Sequence, residues 1–489
     1  MAAVLAALSI AAIAFFFHQG TILYYGDATA HINIARRIFD SRTPGWSQIG
    51  TVWLPLPHIL MLPFVGVDWL WRTGLAGSIP AGACFVAAGV FLFLAVRRVF
   101  DGAAAAAACL AFALNPNLLY LQAVPMTEVV FMASLAATLY FTVRFRQTQG
   151  RGAVLGAAVA ATLGTLARYE GWIVLPLAAL YFLIAAREKR RATAMLFCGI
   201  AAIGPVFWVA HNWFYFGNPL EFYNGVGSAK VMNAAGYPGN HDWRTAAKYL
   251  TQAIRLCVGT PLEYLAIAGA AIALMRRSVW PLLLLASTPL FYWMSMHSGG
   301  TPIFVPQLWP FSYYNTRYGL SALPVLAFAA GALATLAPGR IRKLAAALVV
   351  LAAVSPWLGY PRMENWVCWK ESQVNSEARR TWTREAADYL RANYRAGDGV
   401  LTTFGDVAGI YQQAGIPLRE TLSECNWRKW QAITEVSYPQ PREKWAVALQ
   451  GDLVARTVAR AAGAGARYDL VKTVIAKGAP PVEIYRRQP

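Results

Sequence analysis

Along its first three quarters the chain repeats one pattern. A run of apolar residues is followed by a short polar break and then by another apolar run. About 20 apolar residues in a helix span the hydrocarbon of a bilayer. Runs of that kind lie at 3–23, 74–96, 102–121, 125–143, 153–168, 171–186, 193–213, 257–275, 279–297, 319–337 and 343–358. They predict about eleven membrane helices. Arg168-Tyr169-Glu170 interrupts the stretch 152–186 and leaves two short spans there. Beyond residue 360 the pattern changes. Residues 376–394 read as a helix with acids early and Arg391 and Arg395 late, as the helix dipole favours. Residues 400–404, 445–449 and 468–476 read as strands, and 406–414 and 452–462 as helices between them. Alternation of this kind predicts an α/β layer of roughly 110–130 residues. The expected architecture is therefore mainly α. A polytopic transmembrane bundle covers 1–358 and includes a first outer loop at 24–73, and an external α/β domain covers 359–489.

Composition supports the membrane reading. Of 489 residues, 57% are hydrophobic and only 14% charged, whereas about a quarter of a soluble domain is charged. Lys and Arg number 43 against 24 acids, a formal charge of +19. The basic residues are scattered between apolar runs and form no continuous stripe, which argues against a nucleic-acid partner. They mark alternate loops instead: Arg97-Arg98, Arg144/Arg146/Arg151, Arg187 with Lys189-Arg190-Arg191, Arg276-Arg277, and Arg340/Arg342/Lys343. If those loops are cytoplasmic, the N-terminus is inside and the long loops and the tail are outside, across an inner (plasma) membrane. The first run lacks the basic n-region of a cleaved signal and is long, so it reads as a retained helix. Six cysteines make no disulfide framework. Cys368 and Cys425 both fall outside, where pairing and two reduced thiols are both open. The tail contains no glycine-rich phosphate loop, and the chain shows no internal repeat.

Chemistry gathers at the expected outer ends of the helices. YYGDATAHINIARRIFDSRTPGW, from Tyr24 to Trp46, sets Asp27, His31, Arg36 and Arg37 just past the first apolar run. A carboxylate beside the membrane is expensive to desolvate. A structural account makes Asp27 a helix N-cap, although Ala30 leaves the capping box incomplete. A functional account places Asp27 and His31, four residues apart, on one helix face with the arginines two turns on. Glu128 opens an apolar run, where the helix dipole welcomes an acid; an ionisable group at that depth is also a site candidate. Arg168, Tyr169 and Glu170 form a tight turn, either as a local ion pair or as donor contacts. Arg317, in YYNTRYG, stands at a helix start where the dipole opposes a cation, so an anion should accompany it. His211 reads as an interfacial hydrogen-bonding residue.

GDATAHINIARRI, WLPLPHILMLP, NPNLLYLQAVPMTE and ARYEGW resemble loop signatures of the GT-C superfamily of glycosyltransferases, in particular the protein O-mannosyltransferase and aminoarabinose transferase group. The resemblance covers roughly residues 1–358. It implies transfer of a sugar from a polyprenyl-phosphate donor to an acceptor at the outer face: a protein, a glycolipid or a polysaccharide. It further implies that Asp27 acts as general base, with Glu128 as a second catalytic acid position. His31, Arg36, Arg168, Tyr169, Glu170 and Arg317 then hold the donor and its phosphate. A leaving phosphate needs cations more than it needs a general acid, and arginine forks bind phosphate oxygens bidentately. Some relatives have adjacent first-loop acids that help to hold a metal. Here Ala28, Thr29 and Ala30 follow Asp27. A divalent metal is left to a mixed set, Asp27 and His31 with Glu128 or His211, suited to zinc or manganese. The rival class is a multi-pass transporter or flippase of a lipid-linked glycan, which would bury polar groups near the midplane in paired repeats. A structural partner of an envelope complex is the third.

Overall fold

The computed structural model describes residues 1–437 and 439–489. Two compact units divide the chain. One comprises Met1–Gln19, Thr51–Pro57 and Ser78–Glu371; the other comprises Gly20–Gly50, His58–Gly77 and Ser372–Pro489.

The first unit is helical. Among the described residues six helices are long and apolar enough to cross a membrane: Leu75–Val99, Glu128–Thr148, Arg190–Phe216, Val279–His297, Thr316–Leu336 and Arg342–Gly359. Two further pairs qualify as broken spans, Gly102–Ala113 with Pro116–Ala123 and Trp243–Val258 with Thr260–Met275, bent by 63° and 106°. Ala2–His18, Arg151–Ala167 and Glu170–Ala185 are shorter apolar helices. Each predicted run thus has a helix, and the protein is an integral membrane protein. The bends have local causes. Asn115 caps the helix after the first, its side chain accepting from Asn117 N and Leu118 N, and Pro116 follows at the first turn, where a missing N–H is harmless. At the second, Gly259 takes φ +82° and Pro261 stands in the next first turn. Trp243–Val258 falls largely between the apolar runs read at 193–213 and 257–275. Its apolar positions, Ala246, Tyr249, Leu250, Ala253 and Cys257, are buried on one face. The polar residues of the opposite face lower its mean hydropathy and hide it from a hydropathy reading.

Helices approach closely where side chains are small, as expected when van der Waals contact drives packing in lipid. A methyl group on Gly269 would strike the Ala329 carbonyl, and one on Gly319 the Ala253 carbonyl. Both obstacles are backbone and cannot swing aside.

The second unit carries a five-stranded mixed sheet. Its strands are β1 (Val400–Thr402), β2 (Thr421–Leu422), β3 (Trp445–Leu449), β4 (Tyr468–Val474) and β5 (Val482–Arg487), in the order β2-β1-β3-β5-β4. β1 runs parallel to β2 and β3, while β5 runs antiparallel to β3 and β4. β2, β5 and helix Trp427–Thr434 were not expected from sequence, and the tail helix begins earlier than predicted, at Val367 rather than 376. The sequence boundary between a membrane domain and a tail domain also shifts. Ile32, Ala35, Met61, Val65 and Trp71 of the first loop share one buried cluster with Trp382, Leu390, Ile410, Tyr411 and Trp445. The loop therefore belongs with the sheet, because its short helices bury their apolar faces there. All six cysteines are free thiols.

Gly269→Ala should lower unfolding stability in detergent by about 1–3 kcal/mol, the usual cost of overpacking. Gly339→Ala, with open space around it, should leave the thermal midpoint in place.

Candidate functional site

Five ionic side chains, four buried and Arg168 partly so, converge in the helical unit. Glu128 opens helix Glu128–Thr148 and Glu170 opens Glu170–Ala185. Arg168 occupies the break between Arg151–Ala167 and Glu170–Ala185. Arg317 lies on the 3-10 turn Thr316–Ala322, entered through Asn315 at φ +52°. Glu371 ends the unit. Arg168 Nε donates to Glu170 Oε1 at 2.6 Å, and its Nη1 lies 3.3 Å from Glu128 Oε1. Nη1 also donates to the Thr127 hydroxyl, and Nη2 donates to the Tyr292 hydroxyl at 2.6 Å. Tyr292 in turn donates to Glu170 Oε1. Arg317 Nε donates to Glu128 Oε1 at 3.2 Å. Glu371 clamps Arg317 twice, accepting from its backbone N at 3.0 Å and from Nη1 at 3.3 Å. Both guanidinium carbons lie near the Tyr318 ring, 5.1 Å (Arg168) and 4.9 Å (Arg317) from its centroid. Tyr318 stacks on Tyr292 at 4.6 Å.

Three carboxylates against two guanidiniums leave a formal charge of −1 when all are ionised. The side chains of Glu128, Glu170, Arg317 and Glu371 are at most 6% exposed. Charges this deep persist only when paired, so each arginine is held by at least two acids. The pocket between them has free volume of about 10 Å³, room for roughly one water. Thr288 and Ser321 line it, and their hydroxyls are buried with no hydrogen-bond partner among the described residues. The same unit holds an apolar groove of about 790 Å³ lined by residues such as Leu177, Trp280, Leu283 and Leu290. Helices Glu170–Ala185 and Val279–His297 wall both: they give Glu170, Thr288 and Tyr292 to the pocket and the apolar residues to the groove.

Of the residues singled out from sequence, Glu128, Arg168, Glu170 and Arg317 are thus brought together. Tyr169 turns elsewhere: its hydroxyl donates to the Val52 carbonyl at 2.7 Å and accepts from Trp208 Nε1 at 3.1 Å. Asp27, His31 and Arg36 belong to the second unit. Asp27 is half-buried in the first turn of helix Gly26–Arg37. The N-cap is Tyr25, so the capping account of Asp27 fails by two positions. His31 is buried, its Nδ1 2.9 Å from His58 Nε2. Arg36 is paired within its own unit. Its donors meet Asp40 Oδ2 at 2.8 Å, Asp68 Oδ1 at 2.7 Å and the Val65 carbonyl at 2.6 Å. Sequence reading missed Thr127, Tyr292, Tyr318, Glu371, Thr288 and Ser321. Tyr318 adjoins the arginine that was flagged; Glu371 carried no signal, because it reaches Arg317 only through the fold. Among the described residues no three His, Cys, Asp or Glu side chains form a group that could hold a metal ion. The proposed mixed metal set therefore has no support in the geometry.

The fold is similar to that of solved ArnT structures. It is similar to the crystal structure of ArnT from Cupriavidus metallidurans bound to undecaprenyl phosphate, at 13% identity, over 98% of this chain and 97% of that one, with a TM-score of 0.61. The apo state of the same ArnT aligns at 13% identity over 94% and 93%, with a TM-score of 0.59. Residues 72–213 match the dolichyl-phosphate-mannose-protein mannosyltransferase family model. No curated protein sequence matches the chain significantly. The resemblance read from the loop motifs therefore agrees with both the family model and the fold.

Glu371→Ala should lower stability by about 3–5 kcal/mol, because it strips a buried guanidinium of its clamp. Arg317→Met combined with Glu371→Gln should recover a large part of that loss, measured as a double-mutant cycle of unfolding midpoints in detergent.

Proposed function

We propose that this protein is a glycosyltransferase that takes a sugar from a polyprenyl-phosphate donor and passes it to a hydroxyl-bearing acceptor at the outer face of the membrane. The observation that carries the reading is that one helical unit holds a charged pocket and an apolar groove with two helices in common. A polyprenyl-phosphate sugar has the same two parts, an anionic head and a long apolar tail. The related ArnT fold was crystallised with undecaprenyl phosphate, a ligand of that chemistry.

On this reading the prenyl chain lies in the groove and the phosphate enters the pocket. It would exchange places with carboxylate oxygens on Arg168 and Arg317, since the guanidiniums are already paired and the free space is small. Thr288 and Ser321, with hydroxyls lacking partners, would donate to phosphate oxygens. As the glycosidic bond breaks, negative charge grows on the leaving phosphate, and the two preorganised guanidiniums stabilise it. Glu128, shared by both arginines, would set their spacing. Asp27 is the proposed general base for the acceptor hydroxyl, supported by its half-buried place in the first turn of a helix and by the family resemblance. Orientation follows the basic loops, with the N-terminus cytoplasmic.

Asp27→Asn should reduce sugar transfer by about 10²–10⁴-fold in proteoliposomes supplied with labelled polyprenyl-phosphate sugar. Donor binding should survive. Transfer at the wild-type rate would remove Asp27 as base. Thr288→Val and Ser321→Ala should each weaken donor binding by roughly fivefold, the worth of one hydrogen bond. Movement of labelled lipid across the bilayer without any transfer would instead favour the flippase reading.

A further inference from the structure

The sheet-bearing unit holds a cationic cavity that the transfer reaction as described above does not use. Arg72 of helix Asp68–Thr73 and Arg379, Arg380 and Arg384 of helix Val367–Asn393 line one space of about 380 Å³. Three of these guanidiniums bond neutral groups or none. Arg72 donates to the Gln413 carbonyl at 3.0 Å. Arg380 donates to the Ser376 hydroxyl at 3.1 Å and the Tyr24 hydroxyl at 3.0 Å, and lies 4.2 Å above the Tyr24 ring. Arg384 is exposed and makes no hydrogen bond or ion pair among the described residues.

Four other arginines of this unit pair with acids, while Arg37, Arg460 and Arg487 donate to neutral groups. Arg36 meets Asp40 and Asp68, Arg42 meets Glu443, Arg391 meets Asp388 and Arg419 meets Asp40. Arg380 and Arg384 stand one turn apart on the same helix, a spacing at which like charges repel. Their repulsion works against the folded state unless an anion enters between them.

We propose that this cavity binds a phosphate-bearing headgroup. Guanidinium forks match phosphate oxygens bidentately, and several converging forks favour phosphate over a single carboxylate. The volume lies in the range of small-molecule sites and exceeds what a bare phosphate fills. Thr29 and Thr383 also line the cavity. Their side chains make no hydrogen bond among the described residues, so a sugar or glycerol hydroxyl next to the phosphate finds partners there. The ligand is a soluble phosphate ester or the headgroup of a lipid. Chain position is compatible with the latter: Gly20, in the wall, is two residues beyond helix Ala2–His18, and Arg72 is three before Leu75–Val99.

The test uses the full chain in neutral detergent at fixed ionic strength set with chloride. Inorganic phosphate and glycerol phosphate are titrated while the thermal midpoint is followed. In parallel, the protein in nanodiscs of phosphatidylcholine with or without phosphatidylglycerol is examined by native mass spectrometry for retained lipid. Arg384→Gln removes one unpaired charge at an exposed position; Thr383→Phe fills the cavity and keeps every charge. Saturable stabilisation by the soluble anions, weakened about tenfold or more in both variants, identifies a soluble phosphate ester. Retention of the anionic lipid alone, lost in both variants, identifies a lipid headgroup. Absence of both effects, or effects equal in wild type and variants, overturns the proposal.

Discussion

The helical unit depends on a single electrostatic constraint: two guanidiniums and three carboxylates are held out of water and must satisfy one another. Arg168 and Arg317 share Glu128 Oε1. Glu170 and Glu371 hold each arginine from its other side. Desolvating any of these charges alone is expensive, so the members fix one another's positions. They come from the starts of two helices, from a break between helices, from a 3-10 turn and from the end of the unit. The network thus ties together segments that are far apart in sequence. It also determines what the pocket can accept. Any further ion would have to take over contacts that these side chains now make.

The surrounding helices serve that constraint in two ways. Glycines at close crossings bring backbones together without side-chain bulk, and Gly319 sits only two residues beyond Arg317. Helices Glu170–Ala185 and Val279–His297 then present polar groups to the pocket and apolar ones to the groove. One compact unit thereby holds a charged pocket and an apolar groove on two shared helices.

The second unit uses arginine in two distinct ways. Arg36 is consumed by Asp40, Asp68 and two carbonyls, and Arg37 by the Gln48 carbonyl, Cys425 and the Phe404 ring. Those contacts hold the first loop within the core that backs the sheet. Arg380 and Arg384 keep their charge without an acid, around open space. Sequence alone does not separate these uses, because both are arginines on amphipathic helices.

The sequence by itself determined the membrane class, because the free energy of burying some 20 apolar residues in lipid is a local sum. For the same reason it located the apolar runs, the break at Arg168-Tyr169-Glu170 and the strands read at 400–404, 445–449 and 468–476, which the structure has as Val400–Thr402, Trp445–Leu449 and Tyr468–Val474. It also flagged Glu128, Arg168, Glu170 and Arg317, since an ion at membrane depth stands out against apolar neighbours. Only the tertiary structure decided which ions pair. Glu371 reaches Arg317 across 54 positions, and His31 reaches His58 across 27. It also paired Arg36 with Asp40 and Asp68, turned Tyr169 toward Val52 and placed the first loop in the core of the sheet unit. Pairing depends on distances between side chains remote in sequence, whereas composition and periodicity record only what lies within a helix length.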